Sequence, residues 1–468
     1  MHLQWLRDSI VGQFLRQFCT PSWLKYNEEY LQWQPECTFY DEKTILVEWY
    51  PEHDEENAHN WSQPKKAFIL FVIGIYSFVV YMAAPIYTPG ENAFIEEFGV
   101  NNAEASLGLA LYVLGYGTGP LFFSPLSEIP RIGRNLPYAI SFFLFCIVSI
   151  PTTLAPNAIG FYFLRFLQGF FGSPCLATGG ASIADVYSPD VLPHAMTTWV
   201  FCVFCAPAIG VVVSGFAIPI LGWRFSMWET LIAAGPILVL LLLLPETSPA
   251  TILHRRARRL EKTRINRPYS YQTAADIAQA GISFYSGIYG FNLGEMGLAF
   301  LAIVVGTIIS FAVYNLYIYK IFTPKSRGLR KPEDVLVPAL IACFGPSIGL
   351  LLFGWAANPN IHWIVPTIGI VIYPASVFIL MQCVFLYIPA CYPQYAASVF
   401  AATDFTRSAF ACGAVVFSRP LYENLGVGPG CSLLAGLTIG CVIGIYSLYH
   451  CGEALRRRSK FVPKLLTM

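Results

Sequence analysis

Charge is what this sequence has least of: Asp, Glu, Lys and Arg make up 12% of its 468 residues. A soluble globular chain carries about 25%. A surface built from half that supply cannot face water on all sides, so an ordinary soluble domain is excluded. Histidine is sparse as well. Its seven copies, at 2, 53, 59, 194, 254, 362 and 450, are dispersed along the chain, and neither HExxH nor a glycine-rich phosphate loop with its Lys occurs. The clustered acids and ligands of a membrane enzyme are missing, so no catalytic residue, metal or cofactor is expected. A net charge of +1 leaves no footprint for nucleic acid. No apolar signal-peptide core stands near Met1, and the polar residues 1–66 are expected to form a cytosolic tail. Within it Leu3, Leu6, Ile10, Phe14 and Phe18 recur at helical spacing. That fits either an amphipathic helix on the membrane surface or a disordered tail.

Apolar residues are abundant instead, at 55% of the chain with a mean hydropathy of +0.54. About 20 of them in a row cross the hydrocarbon core. Eleven such runs can be read: 67–88, 105–126, 136–155, 159–183, 195–216, 228–245, 296–319, 335–355, 362–388, 395–417 and 431–450. Cys146, Cys202, Cys205, Cys343, Cys383 and Cys441 fall inside these runs and read as small hydrophobes. Gly and Pro punctuate them, as in Gly115-Tyr116-Gly117-Thr118-Gly119-Pro120, which in a membrane bundle permits close packing and local bends.

Basic residues set the topology. With the tail inside, Arg131 and Arg134 fall inside, as does the weakly charged stretch from Asp185 to His194. So do Arg255, Arg256, Arg258, Arg259, Lys262, Arg264 and Arg267. The rule then breaks. Counted onward, the run 296–319 puts Lys320, Lys325, Arg327, Arg330 and Lys331 outside, and the terminal Arg456-Arg457-Arg458 with them. One more crossing between about 275 and 295 repairs both conflicts, but the apolar stretch there, 280–290, has about half the required length. A missing or truncated seventh span is expected, with a short re-entrant element as the alternative. The division is then a cytosolic tail (1–66), a six-helix bundle (67–245), a basic loop with the truncated span (246–290), a second bundle (291–450) and a basic cytosolic tail (451–468). Two such halves are the layout of transporters built from repeats.

Several segments carry a resemblance. Val47-Glu48-Trp49-Tyr50 and Asn57-Ala58-His59-Asn60-Trp61-Ser62-Gln63-Pro64-Lys65-Lys66 precede the first span, and Ser124-Pro125-Leu126-Ser127-Glu128-Ile129-Pro130-Arg131-Ile132-Gly133-Arg134 follows the second. The fourth span opens with Leu164-Arg165-Phe166-Leu167-Gln168-Gly169. The fifth carries Ala206-Pro207-Ala208-Ile209-Gly210-Val211-Val212-Val213-Ser214-Gly215, and Gly222-Trp223-Arg224 and Leu244-Pro245-Glu246-Thr247 come later. In this order the chain resembles the fungal drug:proton antiporter family of the major facilitator superfamily, over about residues 43–455. Ala206 and Val211 depart from the family's GPxxGPxxGG pattern, which weakens the bend expected in the fifth span. The resemblance implies an all-α polytopic fold of two pseudo-symmetric helix bundles with twelve spans, eleven of them recognisable here.

It also implies a role in proton coupling for Arg165, an isolated cation in an apolar span and so a candidate for facing a cavity. The other reading is an Arg snorkelling to the interface. Glu229, Glu295 and Asp404 are the carboxylates nearest to spans; Glu229 and Asp404 join Arg165 as proton-coupling candidates. Glu128, Arg131, Gly133 and Arg134 suit a charge relay that latches one closed state, or simply a positive-inside loop. Asp404 and Arg407, three apart, face one helix side and can pair. Pro207, Gly210 and Gly215 suit a flexible or tightly packed helix. Tyr81, Tyr112, Tyr116, Gln168, Trp228, Tyr314, Tyr373 and Gln382 are candidates to line an amphipathic substrate cavity. The expected function is proton-coupled export of a hydrophobic drug, toxin or secondary metabolite across the plasma membrane, by a monomer with the bilayer, protons and substrate as its only partners. An uptake or polyamine-type carrier and a transport-inactive truncated paralogue stand as alternatives.

Overall fold

The computed structural model describes residues 7–18, 25–26, 38–41, 44–46, 49, 54–188, 190–263, 293–322, 332–356, 362, 364–391 and 396–458. A short helix α1 (Ile10–Phe18) and a two-stranded antiparallel hairpin, β1 (Thr38–Asp41) with β2 (Thr44–Leu46), precede the first long helix. The first half then comprises α2 (Gln63–Ala83), α3 (Glu91–Phe98), α4 (Asn102–Thr118), α5 (Pro120–Glu128), α6 (Asn135–Thr153), α7 (Ala158–Gly172), α8 (Pro174–Val186), α9 (Leu192–Leu221) and α10 (Trp223–Leu242). A polar helix α11 (Pro249–Thr263) follows. The second half holds α12 (Leu293–Tyr317), α13 (Val337–Ala342), α14 (Gly345–Ala356), α15 (Ile364–Cys391), α16 (Ala396–Leu425) and α17 (Val427–Arg458).

Among the described residues, nine helical stretches are long and apolar enough to cross a membrane. The two remaining expected runs are present as α7 with α8 and as α16, where Arg165, Asp185, Asp404 and Arg407 dilute the apolar character. Helix ends follow local chemistry. Asn101 caps α4 by accepting from Glu104 N at 2.9 Å while the Glu104 carboxylate accepts from Asn101 N at 2.8 Å, a reciprocal box that satisfies two orphan donors. Asn157 caps α7 through Gly160 N at 2.7 Å. Pro120 and Pro174 start new helices within single runs, because proline keeps the helical φ but lacks the N–H that continuation needs. Pro207 leaves α9 unbroken over its 30 residues, and Gly210 presses against the Met82 carbonyl.

Close packing ties α4 to α7. A Cβ on Gly115 would collide with the Phe166 carbonyl, and one on Gly169 with the Tyr112 carbonyl. The largest apolar core runs through both halves, from Ile73, Tyr138 and Trp199 to Tyr314, Phe378 and Leu386. Cys202 and Cys205 have Cys-x-x-Cys spacing, but no group of three metal-ligating side chains exists among the described residues.

The basic clusters gather at one end. Arg134 Nε donates to Asp185 Oδ2 at 2.7 Å, and Arg255 lies 3.6 Å from Glu246. At the same end His194 meets Asn315 at 2.8 Å, so α12 runs toward it; the neighbours of Ile303 and Val304 are Ala208 and Val211, further from that end. Trp199 meets Phe385 near the end of α15, and Arg456 pairs with Glu333 at 2.9 Å beside Cys391. Of the charges that conflicted with an eleven-span count, Lys320 and Arg456 lie in the described residues and share the end of Arg134. The described chain on either side of 264–292 stands at opposite ends of the bundle. The expected truncated seventh span itself lies outside the described residues.

The segment before α2 is docked rather than free. Glu246 N donates to Asp8 O at 3.1 Å, and Ser9 bridges to Pro245. Arg256 grips Asp54 with two bonds of 2.6 and 2.8 Å, and Arg259 grips Glu56 with two of 2.7 and 2.8 Å. The Arg256–Asp54 pair, two nitrogens on two oxygens, fixes geometry as well as charge. α1 begins immediately after this docking point, with Phe14 58% exposed.

Candidate functional site

Among the described residues, buried charge reaches the contact between the two bundles along one chain of side chains. It begins in the first half at Arg165, which is fully buried on α7. A guanidinium at that depth is expensive unless its donors are used, and here they are. Arg165 donates to Ala84 O at 2.7 Å, Ala83 O at 3.0 Å, Gly108 O at 3.1 Å and Gln168 Oε1 at 3.1 Å. The three carbonyls lie at the end of α2, where proline breaks the helix, and on α4. The same guanidinium stacks on the Tyr112 ring at 4.4 Å, a cation–π contact strengthened by desolvation. Tyr112 and Gln168, expected to line a cavity, are thus engaged by Arg165. The Tyr112 hydroxyl donates to Val80 O at 2.8 Å, and Gln168 Nε2 donates to Ser149 Oγ at 2.8 Å.

From Tyr112 the aromatic contact continues to Tyr116 at 5.8 Å and from Tyr116 to Tyr81 at 5.8 Å. The Tyr81 hydroxyl accepts from Arg407 Nη2 at 2.9 Å. Arg407 belongs to the other half, and it pairs with Asp404 at 2.5 Å. Asp404 is 4% exposed, and its second oxygen has no hydrogen-bond partner. One residue on, Ser408 packs so closely on Gly117 that a Cβ there would not fit. Three tyrosines therefore link a buried arginine of one half to an ion pair of the other. The two halves also meet through Phe201 with Phe311 at 5.1 Å and Phe204 with Phe378 at 5.7 Å.

The other expected residues lie elsewhere or apart. Trp228 and Tyr373 are exposed, at 37% and 39%. Tyr314 is buried beside Tyr317. Gln382 is fully buried with neither end of its amide bonded. Glu229 is half-buried, with one unbonded oxygen. The side chain of Glu295 lies outside the described residues.

The loop after α5 forms a second polar centre at the basic end. Gly133 takes φ +77° there, a left-handed turn that favours glycine, and a side chain would strike Glu246. The fully buried Glu246 carboxylate accepts from the backbone N–H of Arg134 at 3.0 Å, Thr247 at 3.1 Å, Ser248 at 3.1 Å and Asn135 at 3.4 Å. Arg134 pairs with Asp185, Glu128 also acts on its charge, and Arg131 is exposed. Asp185 and Glu246 were not singled out from the sequence; an acid at a span end opposite a buried Arg is the signal that points to them. In the docked tail Asp8 is held below the usual carboxylate range. Burial acts to raise it, and Lys65, Arg7 and the Tyr26 hydroxyl overcome that.

Gly345-Pro346-Ser347-Ile348-Gly349 has the letters of a nucleophile elbow. It opens the helix α14, however, and the Ser347 hydroxyl meets Thr438 at 2.6 Å. The strand–turn–helix context such a nucleophile needs is not found there.

The fold and this centre define a class first: a multi-pass membrane carrier built of two helix bundles around a buried charged and aromatic interface. The model of the Major Facilitator Superfamily matches residues 67–415. The chain belongs to this superfamily, among its fungal multidrug and metabolite efflux transporters. It is 42% identical over 465 residues to MFS-type transporter pyvG of Aspergillus violaceofuscus, covering 90% of this chain and 86% of that one. It is 36% identical over 468 residues to Fluconazole resistance protein 1 of Saccharomyces cerevisiae, covering 89% and 85%. The solved proton:xylose symporter XylE, bound to 6-bromo-6-deoxy-D-glucose, superposes with a TM-score of 0.60 at 12% identity, over 83% of this chain and 97% of that one. That likeness speaks for the fold alone.

Proposed function

We propose that this chain is a plasma-membrane exporter, acting as a monomer, which exchanges protons for a hydrophobic drug, toxin or secondary metabolite. The observation that carries the reading is the buried Asp404–Arg407 pair held against Tyr81 of the opposite bundle. A protonatable group between two bodies that move relative to each other is what couples a proton to alternating access. The basic end faces the cytosol, as positive charge there requires. In this structure the halves touch at that end through His194 with Asn315 and Trp199 with Phe385. The interface offers aromatic rings and few polar handles, which suits substrates recognised mainly by apolar area. The relative named for fluconazole resistance supplies the first compound to try.

The test is expression in a yeast strain stripped of its own drug pumps. Resistance to fluconazole or to other hydrophobic toxins is expected to rise with the chain at the cell surface. Unchanged sensitivity across a broad panel, with surface localisation verified, contradicts export and favours a transport-inactive paralogue.

A further inference from the structure

The geometry points to Oδ2 of Asp404 as the atom that takes and releases the coupled proton, with Arg407 as the positioning residue that reports its charge to the other bundle. This rests on the proposed proton-coupled export and deepens it. Three groups compete for the role, and the structure separates them. The Arg165 guanidinium gives four hydrogen bonds to oxygens and stays protonated in proteins; it has no proton to exchange, and its bonds tie parts of one half to each other. Glu229 makes no ion pair among the described residues, and nothing connects its charge to the second half. Asp404 has both properties that coupling needs. One oxygen is committed to Arg407 at 2.5 Å and the other is unbonded and free to bind a proton. The pair stands where the two bodies touch, through the Arg407 bond to Tyr81.

Among the described residues, the groups that face Asp404 are few. Arg407 lies on its own helix, Tyr81 on α2, Tyr116 on α4 and Cys175 on α8. Arg407 is the only cation among them. A proton arriving at Oδ2 converts the carboxylate into a neutral acid and removes the attraction that holds Arg407 in its present position. The bond to Tyr81 then has no electrostatic backing, and the state in which the halves meet through it loses stability relative to its alternative. Departure of the proton restores the pair. One proton per cycle is bound and released, and no other group changes charge.

The experiment uses the purified full chain in lipid nanodiscs and its infrared difference spectrum between acid and alkaline buffer. The wild type should show the carbonyl band of one buried carboxylic acid appearing on acidification. Asp404→Asn should lose that band and Asp404→Glu should shift it, while Glu229→Gln keeps it. In parallel, proteoliposomes carrying a pH gradient are given radiolabelled fluconazole from outside. Asp404→Asn should abolish pH-gradient-driven accumulation and leave downhill equilibration intact. An infrared spectrum unchanged by Asp404→Asn overturns the assignment, as does gradient-driven accumulation that survives it. If the wild type moves no fluconazole at all, the export reading fails for that compound, and the infrared band still decides whether Asp404 binds the proton. An unchanged thermal midpoint in Asp404→Asn separates lost protonation from lost folding.

Discussion

The two halves are built from the same kind of helix and held together differently. In the first half the apolar windows of the spans are 33–61% buried, and in the second 11–33%. Two buried polar centres add a contrast of their own. Arg165, Gln168, Ser149 and Tyr112 form a satisfied network, while at the basic end Glu246 takes four backbone N–H groups and Arg134 beside it keeps one unbonded nitrogen. In the second half Gln382 has no bond at either end of its amide, and Asp404, Arg407 and Ser408 each retain an unbonded buried atom. A buried network with every member satisfied holds one geometry, and one with spare donors and acceptors leaves room for another. The Arg165 network thus has the character of a frame, and the proposed proton site at Asp404 and Arg407 has atoms to spare.

The largest loss is expected at Arg165. Arg165→Ala strips donors from three buried carbonyls and from Gln168, at a cost on the order of 1–3 kcal/mol per orphaned group. The purified variant should lose most of its thermal midpoint or fail to reach the membrane; a midpoint equal to the wild type would show that the network is dispensable. Glu246→Ala comes next, since it orphans several backbone N–H groups, with an expected loss of about 2 kcal/mol or more in chemical or thermal unfolding. Gln382→Leu sharpens the contrast in the opposite direction. Removing a buried amide that has no partner should leave stability unchanged or raise it by about 1 kcal/mol. A marked fall would reveal a partner for Gln382, and loss of transport with stability retained would place it against substrate.

The smallest effect concerns pH. Asp8 is held low by Lys65, Arg7 and Tyr26 against the opposing effect of burial, so its contribution to docking is complete above the ordinary Asp value of about 3.9 and is lost as pH falls below it. Protease protection of the residues before α2 should decline in that acid window, and Asp8→Asn should remove the pH dependence. Protection that weakens instead on alkalinisation would contradict the assignment.

Much of the frame is legible in the sequence, because length and hydropathy define a span without reference to its neighbours. The α4 run, expected at 105–126, occupies 102–128 together with α5, and α6, expected at 136–155, occupies 135–153. The Asp404–Arg407 pair is local and could be anticipated from i, i+3 spacing. The direction of each side chain could not. Helices apolar on every face carry no periodic signal for which side is buried, so Tyr112 and Gln168 read as cavity walls although Arg165 takes both. Nor do residues far apart announce their meeting: Arg134 and Glu246 are joined across 112 positions, and Asp54 and Arg256 across 202. Such contacts are fixed by how helices pack, which no local pattern records.

The central claim, that transport requires the two halves to part at the basic end, is tested by cross-linking His194→Cys to Asn315→Cys in a cysteine-free background, across the 2.8 Å contact of the native pair. Closing the link with a short bifunctional thiol reagent should stop fluconazole efflux, and reduction should restore it. Efflux that continues at full rate through the cross-linked protein would contradict the account.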